Sequence, residues 1–516
     1  MLMPGLALAM FAAACGSGGS SSSPTPPPPT GSFSNASLKG TYAFSMSGTD
    51  ANAFPGAFIA RVGSFVADGS GNISAAMEDV TDAGAVNSGV QFTGGSYSIQ
   101  ANGKGTLSLN SATGTGLQLT IVLNSPSKGV MIQTDLFATS SGSFILQSAN
   151  AFSLTAINGA YVFDVAGTDF NQRSLSVVGQ MTTNGGGGIT GGIYDSNDGG
   201  SNPPLITAQT FGAGGTYALD AANGGTFGRG TMTFAGRTFA FYIVDSTRIR
   251  LMETDGQLFT FGDALQQSAA PTQISAGGFA FLLGGAAVLG TQGPIARGGR
   301  FTTDVSGNVT GIELDDNNAG SITSIGSTNT FSNAKFALDA LNPGTGRGTL
   351  QFTVSGQANP FTFVLYFASP TQALIQDTSN GVVADGTMLA QSASFTSAGL
   401  AGNYAFDWSG INLSLGFEED FAGQHAVSSA GAIAGVVDFV ELASPSKRNP
   451  AFLNIPISGM LTISGDGTGA NIYTVTTGNS PSTTLNYHAY LTAPGTVLLV
   501  GVDQNRTIAG NATLQP

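Results

Sequence analysis

Gly40-Thr41-Tyr42-Ala43-Phe44 is written four times along the chain. It returns as Gly159-Ala160-Tyr161-Val162-Phe163, Gly277-Gly278-Phe279-Ala280-Phe281 and Gly402-Asn403-Tyr404-Ala405-Phe406. The closing phenylalanines, Phe44, Phe163, Phe281 and Phe406, stand 119, 118 and 125 residues apart. A second motif keeps the same step, a glycine followed five residues on by glutamine: Gly142/Gln147, Gly262/Gln267, Gly386/Gln391 and Gly510/Gln515. Recurrence at both ends of a unit marks tandem copies of one small domain.

The motif also tells which side is inside. Tyr42, Phe44 and Met46 are large, whereas Ala43, Ser45 and Ser47 are small or polar. A period of two with one apolar face is a half-buried antiparallel strand. Further glycines (Gly63, Gly179, Gly299, Gly423) precede a β-branched residue by ten positions, at Ile73, Ile189, Val309 and Ile433. The segments between, such as Asp68-Gly69-Ser70-Gly71-Asn72, carry turn chemistry. In copy one the runs predict eight strands, beginning near Tyr42, Ala57, Ile73, Tyr97, Thr106, Leu117, Val130 and Phe144. The fold class is all-β: four tandem antiparallel domains, as eight-stranded up-and-down meander barrels or, alternatively, β-sandwiches. A meander must close on itself to hide its edge strands. The expected domains are residues 34–150, 151–270, 271–396 and 397–516.

The Gly-aromatic pairs Gly40/Tyr42, Gly159/Tyr161, Gly277/Phe279 and Gly402/Tyr404 resemble the opening of avidin- and lipocalin-like up-and-down barrels. That resemblance implies barrels that are filled or hold one ligand. The copies are also similar to tandem β-repeats of secreted lipoproteins in soil bacteria, a group of obscure role.

The segment ahead of the repeats reads as an export device. A short apolar run from Leu6 to Ala14 is too short to span a bilayer and fits a signal peptide over residues 1–14. Ala12-Ala13-Ala14-Cys15 resembles a bacterial lipobox, which implies cleavage before Cys15 and lipidation of its thiol. Residues 15–33 follow as a Gly/Ser/Pro-rich linker, a flexible tether running into a stiffer polyproline spacer. The expected location is the outer membrane or cell surface, with the membrane itself a partner through the lipid.

Composition excludes several functions. The chain is 41% hydrophobic and only 9% charged, with a net charge of −14 and no basic stripe, so nucleic acid is not an expected partner. Cys15 is the only cysteine, so the domains hold neither disulfide nor thiol nucleophile. With two histidines there is no three-histidine zinc set, and no phosphate loop or nucleophile elbow appears. No cofactor is expected.

Four features invite chemistry. Trp408 takes the inward slot of Met46, Val165 and Leu283, and His425 that of Phe65, Met181 and Phe301, a Trp wall with a polar handle that suits a small ligand. The alternative is that both fill core. Asp195-Ser196-Asn197-Asp198 and Asp315-Asp316-Asn317-Asn318 are oxygen-rich, making Asp195, Asp198, Asp315 and Asp316 calcium candidates against a plain turn reading. Lys104, Arg229 and Arg347 sit in repeated Gly-Lys/Arg-Gly-Thr elements and are expected at solvated hairpin tips; copy four has Thr468 there. Glu418-Glu419-Asp420 is expected in a solvated loop. The reading is a non-enzymatic envelope lipoprotein, a rod of four domains for surface binding, adhesion or spacing. Its alternatives are a carrier holding an extracellular glycan or small apolar ligand inside a barrel, and a carbohydrate-active enzyme with paired carboxylates.

Overall fold

The structure is a computed structural model that describes residues 31–516 apart from 53–55, 113–115, 202–204, 269, 291, 327, 393, 445–446, 476–482 and 494. Cys15, the signal segment and most of the linker lie outside the described residues. Copy one is a closed antiparallel barrel of β1 (Lys39–Asp50), β2 (Phe58–Asp68), β3 (Asn72–Asp82), β4 (Ala85–Ile99), β5 (Lys104–Ser111), β6 (Leu117–Ser125), β7 (Lys128–Gln133) and β8 (Ala138–Leu146), in sequence order around the ring. Six of the eight starts fall within three residues of their expected positions, and β8 begins six residues early. β4 begins twelve residues early, because its first half is largely exposed and shows no period-two alternation.

Copies two and four follow the same circuit, with their second and third strands paired as well (Ser174–Asn184 with Gly188–Asp198, Phe417–Val427 with Ala432–Ser444). Copy three curls in the same way, with its edges meeting at a single bridge between Asn308 and Lys335 among the described residues. A short 3-10 turn (Asn35–Ser37, Leu154–Ala156, Ser397–Leu400) precedes the first strand in copies one, two and four. The motif tyrosine seals that end: Tyr42 Oη donates to Pro126 O at 2.8 Å and Tyr161 Oη to Ser246 O at 2.7 Å.

The repeated glycines serve the packing. The motif phenylalanine lies directly across from the second glycine in every copy: Phe44 opposite Gly63, Phe163 opposite Gly179, Phe281 opposite Gly299 and Phe406 opposite Gly423. A Cβ at Gly63 or Gly179 would sit 2.6 Å from the ring's Cζ, so the ring lies over bare backbone and covers it. Each barrel interior is a continuous cluster of buried apolar side chains. A void inside barrel two, between Phe163 and Phe239, is about 10 Å³, room for one water at most.

The rod expectation is overturned. Apolar residues on the outer faces of the strands form four further clusters, one at each seam: barrel one with two (Ala43, Val62, Tyr242, Met252), two with three (Val162, Val178, Val364, Tyr366), three with four (Ala280, Ala296, Tyr490, Val500), and four with one (Ala405, Val440, Val122, Ile132). The four barrels therefore close into a ring. Outward residues that alternation assigned to solvent, Ala43 among them, are seam residues.

Candidate functional site at the seams between barrels

The repeat glutamine reaches out of its own copy into the next. Gln147 Nε2 donates to Phe227 O (2.8 Å) and Ile243 O (2.6 Å) of barrel two. Gln267 likewise reaches Thr345 O and Phe367 O, and Gln391 reaches Asp466 O and Leu491 O. Gln515 completes the circle at Asn102 O (3.1 Å) and Leu123 O (2.6 Å) of barrel one. A side-chain amide donating to two carbonyls of the next barrel is a strong reason for one residue type at one place.

Each seam also holds a buried carboxylate, Asp79, Asp195, Asp315 or Asp438, each at most 3% exposed. Asp79 receives Arg229 of barrel two through Nε (2.9 Å) and Nη2 (2.7 Å), and Tyr242 Oη at 2.7 Å. Asp195 repeats this with Arg347 Nε (2.8 Å), Nη2 (2.7 Å) and Tyr366 Oη (2.7 Å) of barrel three. Asp438 holds Lys104 of barrel one at 2.7 Å, with Thr120 Oγ1 at 2.8 Å. Ala208 adopts a left-handed backbone, φ 50°, and its N–H donates to Asp195 Oδ1 at 3.0 Å. That conformation is unfavourable for alanine and is sustained by the bond it makes.

These facts revise three expectations. Lys104, Arg229 and Arg347 are at most 9% exposed and are seam residues, not solvated tips. Asp195 and Asp315 are seam carboxylates, Asp316 pairs with Arg297 at 3.1 Å, and Asp198 accepts from Gly200 N and Ser201 Oγ within its own turn. Among the described residues no group of three or more His, Cys, Asp or Glu side chains is placed to hold a metal ion. Glu418, Glu419 and Asp420 lie in the strand Phe417–Val427 and are buried, not in a solvated loop. Trp408 and His425 both point into barrel four, where Trp408 stacks on Phe406 (centroids 4.3 Å) and Tyr487 (4.9 Å), and His425 on Tyr404 (5.6 Å). Burial keeps His425 neutral by pulling its pKa down to about 3.

The third-to-fourth seam departs from the others. Thr468 lies opposite Tyr490 as Arg229 lies opposite Tyr242 and Arg347 opposite Tyr366, so it stands where the arginine would be. His488 supplies part of what the arginine gives elsewhere. Its Nδ1 lies 2.7 Å from Asp315 Oδ2, with Tyr490 Oη at 2.5 Å and Ser324 Oγ on Oδ1. Burial opposes ionisation of Asp315, but the bonds from His488 and Ser324 outweigh it and hold the carboxyl below its ordinary range. The same bond raises the His488 pKa. The shorter threonine leaves a cleft of about 390 Å³ lined by Glu313, Asp315, Ser324, Thr468, His488 and Tyr490.

A larger cavity, about 600 Å³, lies at the centre of the ring and is lined by all four barrels. Its wall includes the corresponding glycines Gly48, Gly167, Gly285 and Gly410, each four residues past the motif phenylalanine. A Cβ at any of them would overlap a carbonyl oxygen of that copy's last strand. Two acid pairs flank this cavity. Asp385 lines it and touches Asp164; burial raises both carboxyls, Asp385 to about 7. Glu418 also lines it, accepting from Thr49 Oγ1 and Thr139 Oγ1, and burial raises it and its neighbour Asp420, the latter to about 7.

A carboxyl whose pKa is raised by folding stabilises the ring below its ordinary value, about 4, and loses that contribution as pH rises through the folded value. The raised His488 acts in the same sense. The expected result is a melting temperature that falls between pH 5 and pH 8. Asp385→Asn should flatten that fall and raise the melting temperature at pH 8 by about 2–4 °C for each ~1 kcal/mol relieved. Differential scanning calorimetry across the range checks it, and an unchanged slope in the variant would remove the acid pair as the cause.

No known family profile matches the chain, and no curated protein matches it. Among solved structures, the isotype 1 transferrin binding protein B of serogroup B Neisseria meningitidis aligns over 75% of this chain and 84% of its own, at 9% identity and a TM-score of 0.19. A tryptophan-to-alanine mutant of transferrin binding protein B from Haemophilus parasuis aligns over 80% and 86%, at 8% identity and the same TM-score of 0.19. A likeness this low carries nothing over to this chain.

Proposed function

We propose that the chain is a non-enzymatic cell-envelope lipoprotein, anchored through Cys15, whose ring of barrels is a rigid scaffold that binds at its seams. One observation carries this reading: the barrel interiors are packed with apolar side chains, while cavities of about 390 and 600 Å³ lie between barrels. A ligand inside a barrel would have to displace core, which protein packing density does not tolerate. Fixed seams support a binding role, because a preorganised cleft spends little free energy on ordering itself. Against glycoside hydrolysis stands the geometry of the acids at the centre. Asp164 and Asp385 lie within hydrogen-bonding reach of each other, whereas a glycosidase pair stands about 5–9.5 Å apart around a sugar oxygen.

The anchor is tested by Cys15→Ser. The parent protein is expected in the membrane fraction and in the detergent phase of a partition assay, and the variant in the aqueous phase. Continued membrane association of Cys15→Ser would overturn the lipid anchor.

A further inference from the structure

We propose that the cleft between barrels three and four is a binding site for an alkylguanidinium group, which enters the slot that an arginine side chain fills at two other seams. This deepens the binding role proposed above by naming the chemistry of one seam's ligand.

The molecule supplies its own comparison. The carboxylates corresponding to Asp315 are Asp79, Asp195 and Asp438, and each is bonded to a basic side chain delivered from the next barrel. At Asp315 that side chain is replaced by Thr468, whose hydroxyl turns aside to Asp466 at 2.8 Å, and a cleft opens beside the carboxylate. His488 holds only the Oδ2 side, together with Tyr490. Asp195 Oδ1 takes a guanidinium nitrogen and a backbone N–H, whereas Asp315 Oδ1 has the Ser324 hydroxyl. Glu313 lines the same cleft but faces Arg300 at 3.8 Å, so the acceptor open to a fork of N–H donors is the Asp315 carboxylate. The cation already nearby, Arg300, spreads itself over several acceptors: it lies 3.8 Å from Glu313 and 3.5 Å from Asp466, and donates to Gln391 and to Gly311 O.

The tyrosine distinguishes guanidinium from ammonium. The two arginine seams carry Tyr242 and Tyr366, whose hydroxyls share the carboxylate with the arginine. The lysine seam has Val122 in that register. The vacated seam has Tyr490, and so matches the arginine pattern, where a planar bidentate donor fits and a point charge does not.

The test uses soluble full-length protein carrying Cys15→Ser, so that its outcome is independent of the anchor. Isothermal titration is run with N-acetyl-arginine amide, its lysine and citrulline counterparts, agmatine and a Gly-Arg-Gly peptide. Saturable binding of the arginine amide is expected, at least ten-fold tighter than citrulline amide and tighter than lysine amide. Agmatine binding as well as the peptide marks a small-molecule ligand; peptide alone marks a protein side chain. The double variant Thr468→Arg/His488→Ala rebuilds the seam of barrel two, where Arg229 stands opposite Tyr242 and Ala240 holds the register of His488. It should fold with an unaltered circular dichroism spectrum and lose the binding. The single variant Thr468→Arg should lose it also, and stands in if the double variant fails to fold. Absence of saturable binding, citrulline or lysine binding as tight as arginine, or undiminished binding in a folded Thr468→Arg variant would each overturn the proposal.

Discussion

Asp195→Ala should cost the protein about 3–5 kcal/mol, the usual result of removing one partner from a buried ion pair. Asp195 is fully buried and accepts four bonds, from Arg347 Nε and Nη2, Tyr366 Oη and Ala208 N. Without it, the Arg347 guanidinium keeps Asp339 at 2.9 Å, and the Tyr366 hydroxyl is left facing an apolar seam. The left-handed Ala208 loses the bond that sustains it as well. Denaturant unfolding followed by tyrosine fluorescence should show the loss as a lower midpoint or as early separation of the second seam. Asp198→Ala is the comparison, since that carboxylate serves its own turn, and its cost should stay near 1 kcal/mol or below. If Asp195→Ala matched Asp198→Ala, the seam carboxylates would not be holding the ring.

Gly262→Ala is expected to destabilise barrel two by on the order of 3 kcal/mol, at the upper end of what overpacking costs. The reason is backbone against backbone. Gly262 pairs with Val165 on the first strand, and a Cβ there would overlap the Asp164 carbonyl oxygen while lying 2.9 Å from its carbon. No rotamer relieves this, so the two strands must part and strain the ladder beside Asp164. The corresponding glycines Gly142, Gly386 and Gly510 meet the same obstacle, which explains why the closing motif keeps glycine in every copy. Gly212→Ala, with open space around it, should change stability by no more than ~0.5 kcal/mol. Thermal unfolding of the two variants side by side decides the matter, and equal melting temperatures would show that the close approach is not needed.

Both predictions rest on residues whose positions, though not whose partners, could be read from the chain. Gln147, Gln267, Gln391 and Gln515 stood out by recurrence, yet nothing local says that a glutamine donates to carbonyls in the following copy. The acidic and basic series were visible too. Asp79 and Arg229, for example, each belong to a set repeated with the copies. Opposite charges recurring at fixed places in a chain this poor in charge were a signal of pairing. The third-to-fourth seam added another, since the missing base at Thr468 coincides with a histidine twenty residues on, at His488. Glu418, Glu419 and Asp420 gave no such warning, because three consecutive acids read as solvated unless the neighbouring barrel is known.

By itself the sequence determined what short-range physics can determine: strands from period-two alternation, turns from Gly and Asn, four copies from recurrence, and an inward-facing Trp408 and His425 from register. The tertiary structure alone decided that the barrels form a ring, that their charges are buried between them, and that the open spaces lie outside the barrel cores. The physical reason is distance along the chain. A strand and its hairpin partner are written side by side, whereas Arg229 and Asp79 are 150 residues apart and Gln515 and Leu123 are 392 apart. Whether an outward alanine or valine meets water or another barrel depends on surfaces that exist only after every copy has folded.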